Sequence, residues 1–450
     1  MGPGHPELLD VAAGIADMAG PGEQIEAYVG RSTSTSVKAY GGEVESLTQA
    51  SSAGIGVRVV VDHREGFAYA GTLDEGAVLD ALAEARDNAT FGTPDEFNGL
   101  ASPDGVDAVE LDLWPAGLAS VPTEDKVALA LALEKETTGR DPRVRAVRVA
   151  MFSDSMGEEA VATSTGIRSW GRAGMSYLMV QALAVHDGET QIAGGLSVGR
   201  EVTELSVDEA ATDAILRSTR LLGSTKPTTQ HVTLVLEPRI TATILGIVGG
   251  MLNGEAVLKG RSPFADRVGE TIASPLLTFV DDPTDARSLG AEWHDGEGLA
   301  RRRNELVGTG TLQGFLHNTY SGRRSGTAST GSAQRSISST PGVGASALAV
   351  APGSGTHEQL LSRVDNGLFV TAMSGLHSGV NPVSGDFSVG VEGLMVRAGA
   401  LAEPVREATI ASTIQRLLLD ISAVGADLEW LPDGTGGVTL VIPDVAMSGA

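Results

Sequence analysis

The sequence predicts an α+β fold, rich in antiparallel sheet and poor in helix, and three observations carry that expectation. Helical periodicity, with apolar residues three to four apart, is confined to six separate segments. Strand-like runs bounded by Gly, Asp or Asn fill most of the intervals between them. Short turns such as Tyr40-Gly41-Gly42 and His186-Asp187-Gly188 connect neighbouring runs, as antiparallel hairpins do and crossovers do not.

In chain order, helices are predicted over Glu7–Met18, Glu75–Asn88, Thr123–Glu136, Asp208–Leu222, Pro238–Leu252 and Arg406–Val424. At the third, Thr123 follows Pro122 and precedes Glu124 and Asp125, which predicts a hydroxyl N-cap with acids in the first turn. Strands are predicted over Gln24–Val29, Val44–Gln49, Gly56–Val61, Val144–Phe152, Tyr177–His186, Gln191–Val198, His231–Leu236, Gly367–Met373, Ser388–Val396 and Val438–Ile442. The polar, Pro-bearing stretch Gly223–Gln230 reads as a boundary. It divides the chain into an N-terminal α+β domain, 1–225, and a β-rich C-terminal domain, 226–450. In the second half, Ser321–Arg335 is too rich in Gly and Ser to bury an apolar face and reads as a surface loop or a cleft-lining one.

The chain has 450 residues with 42% apolar and 20% charged residues, a globular composition that excludes overall disorder. Its 57 acidic residues against 32 basic ones give a net charge of −25, a field that repels phosphate backbones and excludes a dedicated nucleic-acid binder. The absence of Cys removes disulfides, thiolate nucleophiles, iron–sulfur clusters and sulfur-ligated zinc. The first ten residues show neither a basic n-region nor an apolar h-region, and the apolar stretches Val127–Leu133 and Ile244–Leu252 fall short of the roughly 20 residues that span a bilayer. A cytoplasmic protein with no membrane partner is the expectation.

The familiar catalytic patterns fail one at a time. The eight histidines offer no HExxH or HExxxH pair: after His357-Glu358, the second imidazole is missing at Leu361 and at Ser362, so an exposed His at a helix start is the reading. Gly195-Leu196-Ser197-Val198-Gly199 matches the GxSxG elbow, but Ser197 sits near the end of a hairpin strand rather than on a strand–turn–helix. Gly308–Gly314 has the wrong spacing for a dinucleotide turn, and Arg301-Arg302-Arg303 lacks interleaved aromatics and follows the acidic run 292–297. The residues thus indicate no catalytic constellation and no cofactor in this chain. The most unusual segment, Ser378–Gly390, reads as an ordered turn built by Asn381-Pro382 and Ser384-Gly385-Asp386 and pinned by Val380, Val383 and Phe387.

That segment resembles the SGVNPxTGDFS signature of the TldD/PmbA family, described both as modulators of DNA gyrase and as metalloprotease subunits. The resemblance extends to Gly54-Ile-Gly-Val-Arg58, Gly66-Phe67-Ala68, Thr72-Leu-Asp74, Ser329-Thr330-Gly331 and Val424–Glu429. One branch of the family carries an HExxxH helix and a Cys in a C-terminal Gly-rich loop. Here the corresponding helix falls at about 240–252, with Gly246 and Met251 where the imidazoles would be and Ile247 where the Glu would be, and Asp433–Gly437 has no Cys. The resemblance therefore implies the PmbA/TldE branch and a two-domain TldD/PmbA-like fold. It implies a heterodimer in which a TldD-like HExxxH subunit supplies zinc while this chain shapes a chamber for unstructured peptides. On that reading Ser329, Thr330, Gly331, Ser378, Asn381, Asp386 and Phe387 are candidates for the substrate or partner cleft. A non-proteolytic regulatory binding protein of the gyrase-modulator type is the alternative.

Overall fold

The computed structural model describes residues 6–449; the first five residues of the N-terminal reading above lie outside them. The chain is mixed α+β and dominated by sheet. Its N-terminal half contains α1 (Pro6–Ala16), β1 (Glu23–Tyr40), β2 (Glu43–Val61), β3 (Arg64–Ala70), α2 (Glu75–Phe91), α3 (Thr123–Gly139), β4 (Val144–Thr163), β5 (Arg168–His186), β6 (Glu189–Gly199) and α4 (Val207–Thr219). The six strands form one antiparallel sheet in the order β3-β2-β1-β4-β5-β6.

Two of its hairpin turns need left-handed backbone at both central residues: Gly41 and Gly42 at φ 67° and 81°, and Asp187 and Gly188 at φ 47° and 82°. Strand lengths exceed what patterning predicts. β2 runs unbroken through Ala50-Ser51-Ser52-Ala53, so the two predicted strands Val44–Gln49 and Gly56–Val61 are one. β1 likewise continues through the Ser/Thr run 32–36, where its pairing with β2 and β4 persists although most side chains face water. Backbone ladders, not apolar alternation, hold these segments.

The C-terminal half opens with β7 (Gln230–Leu236) and α5 (Pro238–Met251). One six-stranded sheet runs Ala400–Thr413, Asp386–Arg397, Asn366–Ser374, β7, Leu440–Ser448, Ala423–Val424; a second runs Thr311–Leu312, Asn304–Gly308, Phe279–Asp281, Leu348–Val350, Gly436–Gly437, Glu429–Trp430. A single large apolar core, including Leu234, Val248, Phe279, Phe387 and Ile410, lies between these sheets and α5. Among the described residues no helix is long and apolar enough to cross a membrane.

Two local expectations are corrected. The predicted helix Arg406–Val424 is strand as far as Thr413, where Ala408 and Ile410 alternate inward, and Glu407 at φ 52° bulges the strand. Only Ile414–Leu419 is helical, capped by the Thr413 hydroxyl, which accepts from the Arg416 N–H at 3.2 Å. Thr123 is not an N-cap either. Pro122 occupies that position, Thr123 begins the helix, and the Thr123 hydroxyl accepts from Gln49 instead.

The halves meet through a buried clasp. Gly54 and Gly56 on β2 leave bare backbone on one face of the N-terminal sheet, and the segment Arg335–Ile337 of the other half lies directly on it. A Cβ at Gly56 would stand 2.4 Å from the Ile337 carbonyl oxygen, and one at Gly54 3.2 Å from the Ile337 side chain. From this strap the fully buried Arg335 guanidinium reaches Glu26, stacking 4.9 Å from the Tyr28 ring centre. Glu26 is also gripped by Arg58, whose Nη2 and Nε approach its two oxygens at 2.9 and 3.1 Å. Burial opposes the Glu26 charge, but the two arginines outweigh it and hold the carboxyl below its ordinary range.

The Ser321–Arg335 stretch is a surface loop only in part: residues 323–328 are exposed, whereas Ser321, Gly322, Ser332 and Ala333 are buried. Arg323 donates to the Leu100 carbonyl at 2.7 Å, and the neighbouring Tyr320 hydroxyl donates to Asp95 at 2.8 Å. Trp293 and Arg302 add contacts to Leu111 and Asp104.

The glycine trough predicts a sharp contrast. Gly56→Ala should lower stability by about 1–3 kcal/mol, because the added methyl cannot coexist with Ile337 in place. Gly171→Ala on the same sheet, where a Cβ meets nothing within 4 Å, should change it by no more than about 0.5 kcal/mol. Urea unfolding of both variants checks this.

Candidate functional site

Helix α5 buries Ile240, Ile244, Leu245, Val248 and Met251 in the core. Its Gly246, Gly249 and Gly250 instead line a pocket of about 230 Å³, closed by Asn253, Ser346 and the Asp433-Gly434-Thr435 turn. Fold and sequence thus bring the α5 segment and the C-terminal Gly-rich loop to one place. Of the three positions that the resemblance sets against metal-site residues, Gly246 reaches the pocket, Ile247 packs half-buried against the core, and Met251 is buried within it.

The donor set does not fit a catalytic zinc, which takes imidazole, thiolate or carboxylate ligands, commonly three from the protein. The pocket offers one carboxylate, Asp433, and its Oδ1 already accepts the Thr435 N–H at 3.0 Å and the Thr435 hydroxyl. Among the described residues no group of three or more His, Cys, Asp or Glu is disposed to hold a metal ion.

Other sequence candidates have structural work. Asn381 Oδ1 accepts the N–H groups of Val383 and Ser384 at 2.9 and 3.2 Å, and its own N–H donates to the Asp386 carbonyl at 2.9 Å. Ser384 Oγ donates to Asp386 Oδ2 at 2.6 Å, while Phe387, 2% exposed, anchors the turn in the core. Ser378 closes the short helix Leu376–Gly379 by donating to the Gly375 carbonyl at 3.3 Å. Ser329 and Thr330 both donate to the His317 carbonyl, and the Gly331 carbonyl accepts from buried Arg301. Among the described residues no hydrogen bond joins the 329–331 turn to the 378–387 loop, and neither lines the α5 pocket.

Ser197 is buried in β6, its hydroxyl accepting from the Ser206 N–H at 2.9 Å, and no His shares its contacts. His357 is half-buried rather than exposed: its Nδ1 lies 3.0 Å from the Thr439 hydroxyl and its ring packs edge-on against Phe369.

A larger cavity, about 350 Å³, opens beside the clasp. Its floor is the face of the N-terminal sheet where β1, β4 and β5 present Gly30, Gly157 and Gly171 around the Glu159 carboxyl. Trp293 and Ile337 of the C-terminal half form a wall. Glu159 Oε2 accepts the Tyr28 hydroxyl at 2.5 Å. Burial, and then the nearby Glu292 charge, push the Glu159 carboxyl up to about 7. The acids on either side are matched: Glu158 pairs with Arg31 at 2.7 Å and Glu292 with buried Arg301. Deeper in the interface, burial and then Asp295 push Glu297 up to about 7, although its Oε2 accepts the Thr319 N–H and hydroxyl. Sequence reasoning missed this cavity. Its one local trace is the glycine spacing of Gly54-Ile-Gly56, whose meaning depends on a strap almost three hundred residues later.

With this geometry in view, the comparisons with known proteins fall into place. The chain belongs to the PmbA/TldA metallopeptidase family: models of its first domain, central domain and C-terminal domain match residues 25–89, 117–222 and 229–449. It is similar to Metalloprotease PmbA of Escherichia coli O157:H7, 26% identical over 444 residues that cover 98% of this chain and 94% of the relative. A Metalloprotease TldD homolog of Haemophilus influenzae is 25% identical over 425 residues, covering 88% of this chain and 86% of the relative. The crystal structure of TldE from Thermococcus kodakarensis shares the fold, with a TM-score of 0.87 at 23% identity over 95% of this chain and 97% of that one.

A carboxyl whose folded value, about 7, lies above its ordinary 4.5 binds a proton in the native state that the unfolded chain releases. The stability it contributes is complete below about pH 4.5 and is lost as pH rises through 7. Glu159→Gln should therefore flatten the pH dependence, gaining on the order of 1–3 kcal/mol relative to the parent between pH 4.5 and 8. Denaturant unfolding at the two pH values measures it.

Proposed function

We propose that this chain is the metal-free, TldE-type subunit of a two-subunit metallopeptidase that cleaves unstructured peptides or proteins. The observation that carries the reading is the α5 pocket: the helix and Gly-rich loop are in contact, while Gly246 brings no donor to it, Met251 lies buried outside it and the loop has no Cys. A scaffold with this arrangement but without a zinc ligand set is most simply a wall of a chamber whose chemistry sits on another chain. An HExxxH subunit would hold the zinc, which polarises the scissile carbonyl and activates water. This chain's part is to bind and orient an extended substrate. The well-tied 378–387 turn acts as an organiser of loop structure rather than a proton donor, since its polar groups are spent on one another.

Cleavage of an unstructured peptide by each subunit and by their mixture tests the proposal. The chain alone should be silent and hold no stoichiometric zinc by metal analysis. Mixed with an HExxxH-bearing relative, it should give activity that neither has alone, lost when the partner's HExxxH glutamate is replaced. Cleavage by this chain alone, or equal activity of the partner without it, would overturn the proposal.

A further inference from the structure

We propose that the cavity floored by Gly30, Gly157 and Gly171 binds a basic side chain of an extended polypeptide, with Glu159 as its counter-charge and Trp293 as its wall. This deepens the peptide-chamber reading above and rests on it for the identity of the ligand as polypeptide.

The protein supplies its own precedent. On the same sheet face, the strap Arg335–Ile337, which leads into the turn closed by the Ser339 N–H on the Ser336 carbonyl, lies over the bare backbone of Gly54 and Gly56, and its arginine stacks on Tyr28 while pairing with Glu26. Tyr28 stands between the two positions: its ring carries Arg335 and its hydroxyl points to Glu159. The pairing register continues the pattern, since Gly54 opposes Gly30 on β1, Gly30 opposes Glu159 on β4, and Glu159 opposes Gly171 on β5. Glycine backbone thus extends across the sheet. Over Gly54 and Gly56 it is covered by the strap, whereas a Cβ at Gly171 would meet nothing within 4 Å and one at Gly157 nothing within 3.8 Å.

What the open part lacks, compared with the covered part, is the cation. Arg31 is committed to Glu158, and Arg301 to Glu292. Arg172, the other cation on the cavity, lies over the Trp114 and Trp170 rings at 4.9 and 5.6 Å. Among the described residues none places a cationic group within ion-pair distance of Glu159, although Glu26, on the same face of the adjacent strand β1, has two. A guanidinium or ammonium entering beside Tyr28 would complete the pair, its aliphatic stem against Trp293 and Ile337. The volume, about 350 Å³, admits one long side chain with its flanking backbone.

Binding to the isolated full chain tests this apart from proteolysis. Calorimetry at pH 8 compares three capped pentapeptides with a central arginine, norleucine or glutamate among alanines. The arginine peptide should bind about tenfold more tightly than the norleucine one. Glu159→Gln, which still accepts from Tyr28, should reduce that preference to less than about twofold, and Gly171→Val should weaken both peptides by filling the floor. Glu7→Gln, at the exposed end of the Arg31 pairs, should leave it intact. Equal binding of arginine and norleucine peptides, a preference that survives Glu159→Gln in a variant that melts no lower than the parent, tighter binding of the glutamate peptide, or no binding up to millimolar arginine peptide would each overturn the proposal. A retained arginine preference in a chain that creates no peptidase with an HExxxH partner would instead refute the functional reading and leave the site standing.

Discussion

A buried guanidinium that has crossed from one half of the chain to the other sets the terms for everything around it. Arg335 carries its charge into an interior where an unpaired ion would cost several kcal/mol, so Glu26 must meet it. Arg58 must then share Glu26, and the strap that delivers Arg335 must lie flat on the sheet. That last condition is met only because β2 carries glycine at 54 and 56. Family-marker residues that look like a conformationally loose strand are, in space, a close-approach surface for another segment. The Gly-Ile-Gly-Val-Arg run supplies both the trough and one of the clasp's charges.

The same junction explains why the interface holds more acid than base. Glu159, Glu297 and Asp295 crowd the zone already occupied by Glu26 and Glu292, and burial pushes all three carboxyls upward. Three arginines, 58, 301 and 335, are distributed among them. Glu159 is the member that, beyond the Tyr28 hydroxyl, faces an open cavity instead of a guanidinium, and the excess is therefore expressed at a surface that a ligand can reach. Stability and binding are linked at this one carboxyl, since whatever neutralises it relieves the crowding.

Much of the local architecture was legible. Five helices follow from three-to-four spacing, and the left-handed turns at Gly41-Gly42 and Asp187-Gly188 mark their hairpins in the sequence. Strand continuity was not, because Ser32–Ser36 and Ala50–Ala53 are held by ladder partners rather than by an apolar face. The strand ending at Thr413 was mistaken for helix because Ile410, Ile414, Leu417 and Leu418 happen to share helical spacing across a strand–helix junction. The α5 pocket was legible only as a pattern of missing donors. The cavity beside the clasp was not legible at all: Arg335 and Glu26 are 309 residues apart, and a Gly-Ser-rich stretch gives no sign that its final arginine is buried.

The central claim is that the Glu26–Arg335 pair couples the two halves, and a double-mutant cycle measures that coupling directly. Glu26→Gln and Arg335→Met should each destabilise the chain strongly, since each strands a buried charge. The double variant should lose less than the sum of the single losses by about 2 kcal/mol or more. Losses that add to within about 0.5 kcal/mol would show that the two residues act independently and would contradict the account.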